Sequence, residues 1–331
     1  MKMEQGSRRL AALYIRREAK HLAEQLDGVR AAEDIEFVHR ARVATRRLRA
    51  ALQMFRSCFR PKQAKRWCRV IRRVTAALGD ARDRDVQIQF LCGALSNLTA
   101  SQCFPGVAHV LVGLEHDRER LQQRVVKAID RLEASRVLRA MRRYAKRCIG
   151  PSGPSSETVW PRETLAHVSR QILHRMDQLF DRENALAYPD DRQQHHAMRI
   201  AAKRLRYTLE VSSPAFPSQL NDAINAMKRI QSLLGEIHDC DVWNDHLDQF
   251  TSAQRERIGR MFGHLGSFQH LLPGIEHLRQ DRLDRRRQAF GELVQRWQEL
   301  GHCGLWDRLT ATVRPPYQSP LGPNERPTAE S

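Results

Sequence analysis

The chain has 331 residues, enough to bury a sizeable core in one large or two medium domains. Lys and Arg outnumber Asp and Glu by 56 to 38, a formal charge of +18, and that balance calls for an anionic partner: nucleic acid, a phospholipid surface, a nucleotide or a phosphate polymer. The opening MKMEQGSRRLAALYIRREAK has no apolar stretch of about 7–15 residues like that of a signal peptide, and nowhere do about 18 uncharged apolar residues run together. The seven cysteines are odd in number, scattered and never form a CxxC pair, so they read as reduced thiols. The expectation is a soluble, cytoplasmic protein with no membrane insertion.

The long segments are rich in Ala, Leu, Arg, Gln and Glu, poor in Gly and Pro, and apolar at three- and four-residue spacing, which predicts an all-α fold of about ten to twelve helices. Between Ala32 and Phe59, Val38, Ala41, Thr45, Leu48, Leu52 and Phe55 fall on one stripe that should face the core. Breaks are expected at Arg60-Pro61, around Gly79 and at Phe104-Pro105-Gly106. Residues 149–157, IGPSGPSSE, read as a linker between halves. Further breaks fall at Tyr188-Pro189, near Pro214 and Pro217, and at Pro273-Gly274; the Pro-rich residues 314–331 read as a disordered tail.

An internal repeat organises these elements. HRARVATRRLRAAL (His39 to Leu52) aligns with HAMRIAAKRLRYTL (His196 to Leu209) at a shift of 157, with seven identities in fourteen positions. VIRRVTAALGDARDRDV (Val70 to Val86) aligns with AMKRIQSLLGEIHDCDV (Ala226 to Val242) at a shift of 156. Two blocks in the same order at nearly one shift predict two copies of a helical unit, residues 5–148 and 158–310, within one region spanning 5–310, packed about a pseudo-twofold axis.

In the first copy His39, Arg42, Arg46 and Arg49 recur at i, i+3, i+7 and i+10, one cationic stripe about 15 Å long at the edge of the apolar one. His196, Arg199, Lys203 and Arg206 repeat it beside Met198, Ala202, Leu205 and Leu209. Between residues 39 and 49 no Asp or Glu balances the arginines, and like charges one turn apart destabilise a helix, so a solvated charged face is the weaker explanation. Arg72 and Arg73, with Lys228 and Arg229, extend the basic surface ahead of the LGD and LGE motifs. Asp83/Asp85 and Asp239/Asp241 are expected at the start of a helix following a turn at the glycine, where they would act as N-caps or orient arginine forks. No Walker A loop, GxGxxG, HExxH or GxSxG occurs, and His238-Asp239-Cys240-Asp241 has the wrong spacing for a metal site, so neither a metal nor a cofactor is expected.

With these motifs, VHRARVATRRLRAAL and LGDARDRDV in one half and HHAMRIAAKRLRYTL and LLGEIHDCDV in the other, the chain resembles the CHAD family, the conserved histidine α-helical domains. The resemblance implies two helical bundles related by a pseudo-twofold axis around a basic central groove that binds inorganic polyphosphate without catalysis, in association with polyphosphate granules. Its anion-binding cations would fall on His39, Arg42, Arg46, Arg49 and Arg72, then on His196, Arg199, Lys203, Arg206 and Lys228. Lys203 and Lys228 keep the charge of Arg46 and Arg72 but lose the bidentate fork, and Cys240 in place of Arg84 implies that the halves bind unequally. The N-terminus lacks the ExExK motif of the triphosphate-tunnel domain that some members carry, so triphosphatase activity is not expected.

A phosphate polymer also suits the composition. It asks for spaced guanidinium forks and little aromatic surface, and aromatics make up 6% of the chain with none on either stripe. The rival readings are a sequence-independent RNA or DNA binder using the same arginines, and a phosphotransferase or phosphatase acting on polyphosphate.

Overall fold

The structure is a computed structural model that describes residues 2–150 and 160–314. Ten α-helices of nine residues or more, one of a single turn and four short 3-10 segments make up its regular structure, and there is no strand among the described residues. The expected linker and tail fall almost wholly on residues 151–159 and 315–331, outside the described ones.

Three of the breaks written by proline are where long helices begin, while Pro189 and Pro217 lie in the turns that precede the helices starting at Arg192 and Asn221. Pro61 opens α3 (Pro61–Asn97), Pro105 stands in the first turn of α4 (Phe104–Ala134), and Pro273 in that of α10 (Leu272–His302), positions where a missing N–H costs nothing. Two aspartates start the motif helices. The Asp34 carboxylate accepts from the Glu36 N–H and opens α2 (Ile35–Met54), while Asp191 accepts from the Gln194 N–H and opens α7 (Arg192–Ser212). Each lies five residues ahead of its motif histidine, so the same cap sets the same start to both stripes.

The break expected around Gly79 does not exist. α3 runs unbroken for 37 residues, about 55 Å, and α8 (Asn221–Phe262) for 42, about 63 Å, with Gly79 and Gly235 in their interiors. A helical glycine costs only about 1 kcal/mol against alanine, which burial of Leu78, Ala81, Leu234 and Ile237 around these two positions outweighs. Consequently none of Asp83, Asp85, Asp239 and Asp241 is an N-cap. Asp85 and Asp241 are buried and hold arginines on the next long helix: Asp85 Oδ1 lies 2.6 Å from Arg118 Nε of α4, and Asp241 Oδ1 lies 2.7 Å from Arg286 Nε of α10.

α2 packs between α1 (Lys2–Ala31) and α3, α7 packs between α6 (Arg162–Phe180) and α8, and α2 and α7 touch each other. The stripe read from the sequence is the buried one: Val38, Ala41, Thr45, Leu48, Leu52 and Phe55 of the first motif helix, and Met198, Ala202, Leu205 and Leu209 of the second, are all inside. They belong to a core that also takes in α5 (Val137–Ile149) and α11 (Leu305–Val313). The far ends of α3 and α8 join α4 and α10 in a second, smaller core of Leu91, Val107, Val110, Leu114, Trp243, Leu247, Ile275 and Leu278. At its base Gly106 and Gly274 bring α4 and α10 into backbone contact; a Cβ on Gly106 would stand 2.1 Å from the Leu271 carbonyl oxygen. The single-turn α9 (Gly266–Gln269) links α8 to α10. No helix of the described residues is long and apolar enough to cross a membrane.

Candidate functional site

Because α2 and α7 cross with their apolar stripes turned into the core, the cations beside those stripes meet at the crossing. There they line an open cavity of about 390 Å³. Arg42, Arg46 and Arg49 enter from α2, Lys203 and Arg204 from α7 and Arg175 from α6, and no carboxylate is among the lining residues. Thr75 and Gly79 of α3, Gln53 of α2 and Gln171 of α6 complete the polar wall.

The cations press on one another. Burial and the positive charges of Arg46, Arg199, Arg42 and Arg206 together push the Lys203 ammonium down to about 7. The Arg46 guanidinium is desolvated and faces Arg42, Arg206 and Arg199. Buried guanidinium N–H groups of Arg46 (Nη2), Arg199 (Nε) and Arg206 (Nε) have no hydrogen-bond partner, as do some others elsewhere, including one on Arg82. Buried donors without partners cost on the order of 1–3 kcal/mol each, more when charged; of the three, Arg46 is the one that lines the cavity.

Carboxylates stand behind the cations rather than among them. Asp83 Oδ1 is 3.7 Å from Arg42 Nη2, and Asp239 acts in the same way on Arg199 as its nearest negative charge. These are the fork-orienting acids; their partners two residues on are the inter-helix clamps already described.

The histidines flank the cluster. Burial, then Arg82 and Arg42, hold His39 below its usual value. His196 is held down by partial burial and by Arg199 and Lys203. Its ring centroid is 5.1 Å from that of His238, which burial, Arg199, His196 and Lys203 push down to about 4. With all three held below the ordinary histidine value, the rings are mainly neutral at pH 7.

Of the other residues singled out in the sequence, Arg72 lies with Arg49 and Arg56 around Cys68, and neither it nor Lys228 is among the residues that line the cavity. Lys228 is exposed with Asn225 as a hydrogen-bond partner at 3.3 Å. Arg73 and Arg229 sit one residue further round their helices and miss the cavity: Arg73 lines a separate depression with Arg124, Lys127 and Arg131 of α4, and Arg229 lies near Glu299 of α10. The stripes also contained no aromatic, yet Tyr207 is in the cavity wall. Two guanidinium groups stand over that ring, Arg46 at 5.5 Å and Arg206 at 4.7 Å from its centroid, and the ring is buried, so it offers no platform for a base. Arg175 and Gln171 were missed because only tertiary packing brings α6 to the motif helices, and Arg204 because it lies beside the cationic stripe of α7 and not on it. Among the described residues no group of three His, Cys, Asp or Glu is placed to hold a metal ion.

A family model described as the CHAD domain matches residues 13–248. The chain belongs to the CHAD domain family. The CHAD match takes in both motif helices, the whole of α3 and the first two-thirds of α8. Among solved structures, the CHAD domain from the plant Ricinus communis superimposes with a TM-score of 0.59 at 19% identity, covering 86% of this chain and 91% of that one. PptA from Streptomyces chartreusis gives 0.59 at 18% identity, covering 88% and 99%. At such identities the likeness is one of fold. No curated protein matches the sequence.

Proposed function

We infer that the protein binds inorganic polyphosphate, without catalysis, in the cavity between α2 and α7. One observation carries this reading: six cations from three helices line one cavity that contains no carboxylate. Each internally paired cation elsewhere has its acid in the fold, whereas this cluster is complete only with an external anion. A linear phosphate polymer supplies closely spaced charge without bases, and the guanidinium groups with unpartnered N–H donors suit its non-bridging oxygens. The paired motifs support a duplicated unit whose two copies contribute His39, Arg42, Arg46, Arg49 and Arg72 from one side and His196, Arg199, Lys203, Arg206 and Lys228 from the other, forming a basic groove about a pseudo-twofold axis. In that reading Arg73 and Arg229, turned away from the cavity, contribute general positive field only. The consequence in the cell is association with polyphosphate stores in the cytoplasm.

A nucleic acid would use the same cations but needs stacking surfaces, and the one aromatic ring in the wall is already covered. The test is titration calorimetry at physiological salt with long-chain polyphosphate and with RNA of matched total charge, on the wild type and on Arg46→Ala with Lys203→Ala. Binding of polyphosphate that exceeds RNA binding and collapses in the double variant is the expected result. Equal binding of both polymers, unchanged in the variant, would return the +18 charge to a diffuse role and favour the nucleic-acid reading.

A further inference from the structure

Arg47 and Arg204 occupy the same position in the two motifs, yet their surroundings are opposite in charge. Arg47 of α2 is closed from within: its Nε is 3.1 Å from Glu210 Oε2 and its Nη1 is 3.9 Å from Glu18 Oε2. Both carboxylates are buried, and Glu210 also lies 3.5 Å from Arg206 Nη1. On that side α1 delivers Glu18 to the motif arginine. On the other side α6 delivers Arg175 to Arg204, a cation facing a cation. Arg175 donates to Gln178 Oε1 at 2.6 Å, and no carboxylate of the described residues lies within ion-pair distance of either arginine.

Two guanidinium groups held side by side repel each other, and partial burial of Arg175 adds a desolvation cost. The fold neutralises the equivalent position with two acids on the α1 side, so the α6 side is not bare for want of a structural solution. Both arginines open onto the same cavity as Arg42, Arg46 and Lys203, next to Arg49, with Gln53 and Gln171 adding neutral donors. Arg47, Glu18 and Glu210 are absent from that lining, so chain leaving the central cations meets further uncompensated positive charge on the α6 side, whereas the equivalent arginine near α1 is already neutralised.

We propose that Arg175 and Arg204 form an additional phosphate subsite, so that a polyphosphate chain extends from the central cations over Arg49 toward α6 and stops at the Glu18–Arg47–Glu210 cluster toward α1. The inference rests on the polyphosphate reading and adds a direction and a length requirement to it: a short chain fills the centre, and only a longer one reaches the extension.

The experiment compares wild type, Arg175→Ala with Arg204→Ala, and a control of equal charge loss, Arg124→Ala with Arg131→Ala on the exposed face of α4. Each is titrated with tripolyphosphate and with long-chain polyphosphate at several salt concentrations, after thermal unfolding has established that all three are folded. Loss of two charge-assisted contacts should lower long-chain affinity at least about tenfold in the first variant. The slope of log affinity against log salt should fall by about 1.4, the contribution of two phosphate contacts along a single-stranded polyanion. Tripolyphosphate binding and the control variant should stay close to wild type. An equal loss in the control would mean a field effect without a subsite, and an equal loss for tripolyphosphate would place the two arginines in the central segment; no loss at all would remove them from the binding path. Any of these overturns the extension while leaving polyphosphate binding standing. Absence of wild-type binding to either polymer would instead sink the underlying reading.

Discussion

Replacing Lys203 by arginine tests the electrostatics of the cavity through one titrating group. The lysine faces Arg42 and Arg46 from α2 and Arg199 and Arg206 from its own helix, with His238 of α8 nearby and uncharged in this range; burial and the four arginines lower its pKa from 10.5 to about 7. A bound polyanion reverses the sign of the nearest charge and raises that pKa again. Between the free and bound values the complex holds one proton more than the free protein, so affinity must fall as pH rises through this window, by up to about tenfold per unit. The contribution is whole below pH 7 and is lost above it. If binding restores the ordinary value of 10.5, the affinity lost between pH 7 and 9 is about 50-fold. Arginine stays charged throughout, so Lys203→Arg should flatten this alkaline limb while keeping tight binding at pH 9. Both proteins should share an acid limb below about pH 6.5, where an anion recharges His39, His196 and His238, all held below the ordinary histidine value in the free protein. Titration calorimetry at pH 6, 7, 8 and 9, repeated in buffers of different ionisation enthalpy, measures affinity and proton uptake together. Parallel curves for the two proteins from pH 7 to 9 would refute the crowding of Lys203 on which the argument depends.

The same crowding predicts a conflict between stability and binding. Lys203→Met removes a half-buried amine from among four arginines while keeping its length, so the ligand-free protein should gain about 1 kcal/mol in thermal unfolding and lose polyphosphate binding; a lowered melting temperature would contradict this. Away from the site, Gly106→Ala forces a methyl group against the Leu271 carbonyl and the Gly274 backbone at the α4–α10 crossing. It should cost about 1–3 kcal/mol and raise proteolytic cleavage near the second core, with binding in the cavity retained by the folded fraction.

Helix identity, the buried stripe of α2 and α7 and the cationic stripe beside it were all legible in the sequence, because each depends on the 3.6-residue repeat along one segment. Proline marked helix starts dependably, since its effect on the backbone is local. Glycine misled: whether Gly79 and Gly235 end a helix depends on what covers their neighbours, and burial on both sides carries α3 and α8 straight through. Where the cations ahead of the glycines point was likewise settled by packing. Arg72 and Arg73 are one residue, or about 100°, apart on α3; neither lines the cavity, and Arg73 stands in a separate depression against α4.

Sequence by itself determined that this is a helical protein of the CHAD type with two matched sets of basic residues and a large excess of positive charge, for these follow from periodicity, identity and charge along the chain. Tertiary structure alone decided that Arg42, Arg46 and Arg49 of one set meet Lys203 of the other in one cavity, that Glu18 and Glu210 neutralise Arg47 and that Arg175 and Arg204 are left without an acid among the described residues. The reason is that charge pairing across 29 residues, from Glu18 to Arg47, or 163, from Arg47 to Glu210, is a property of distance in space, and no local pattern records which acid will meet which arginine.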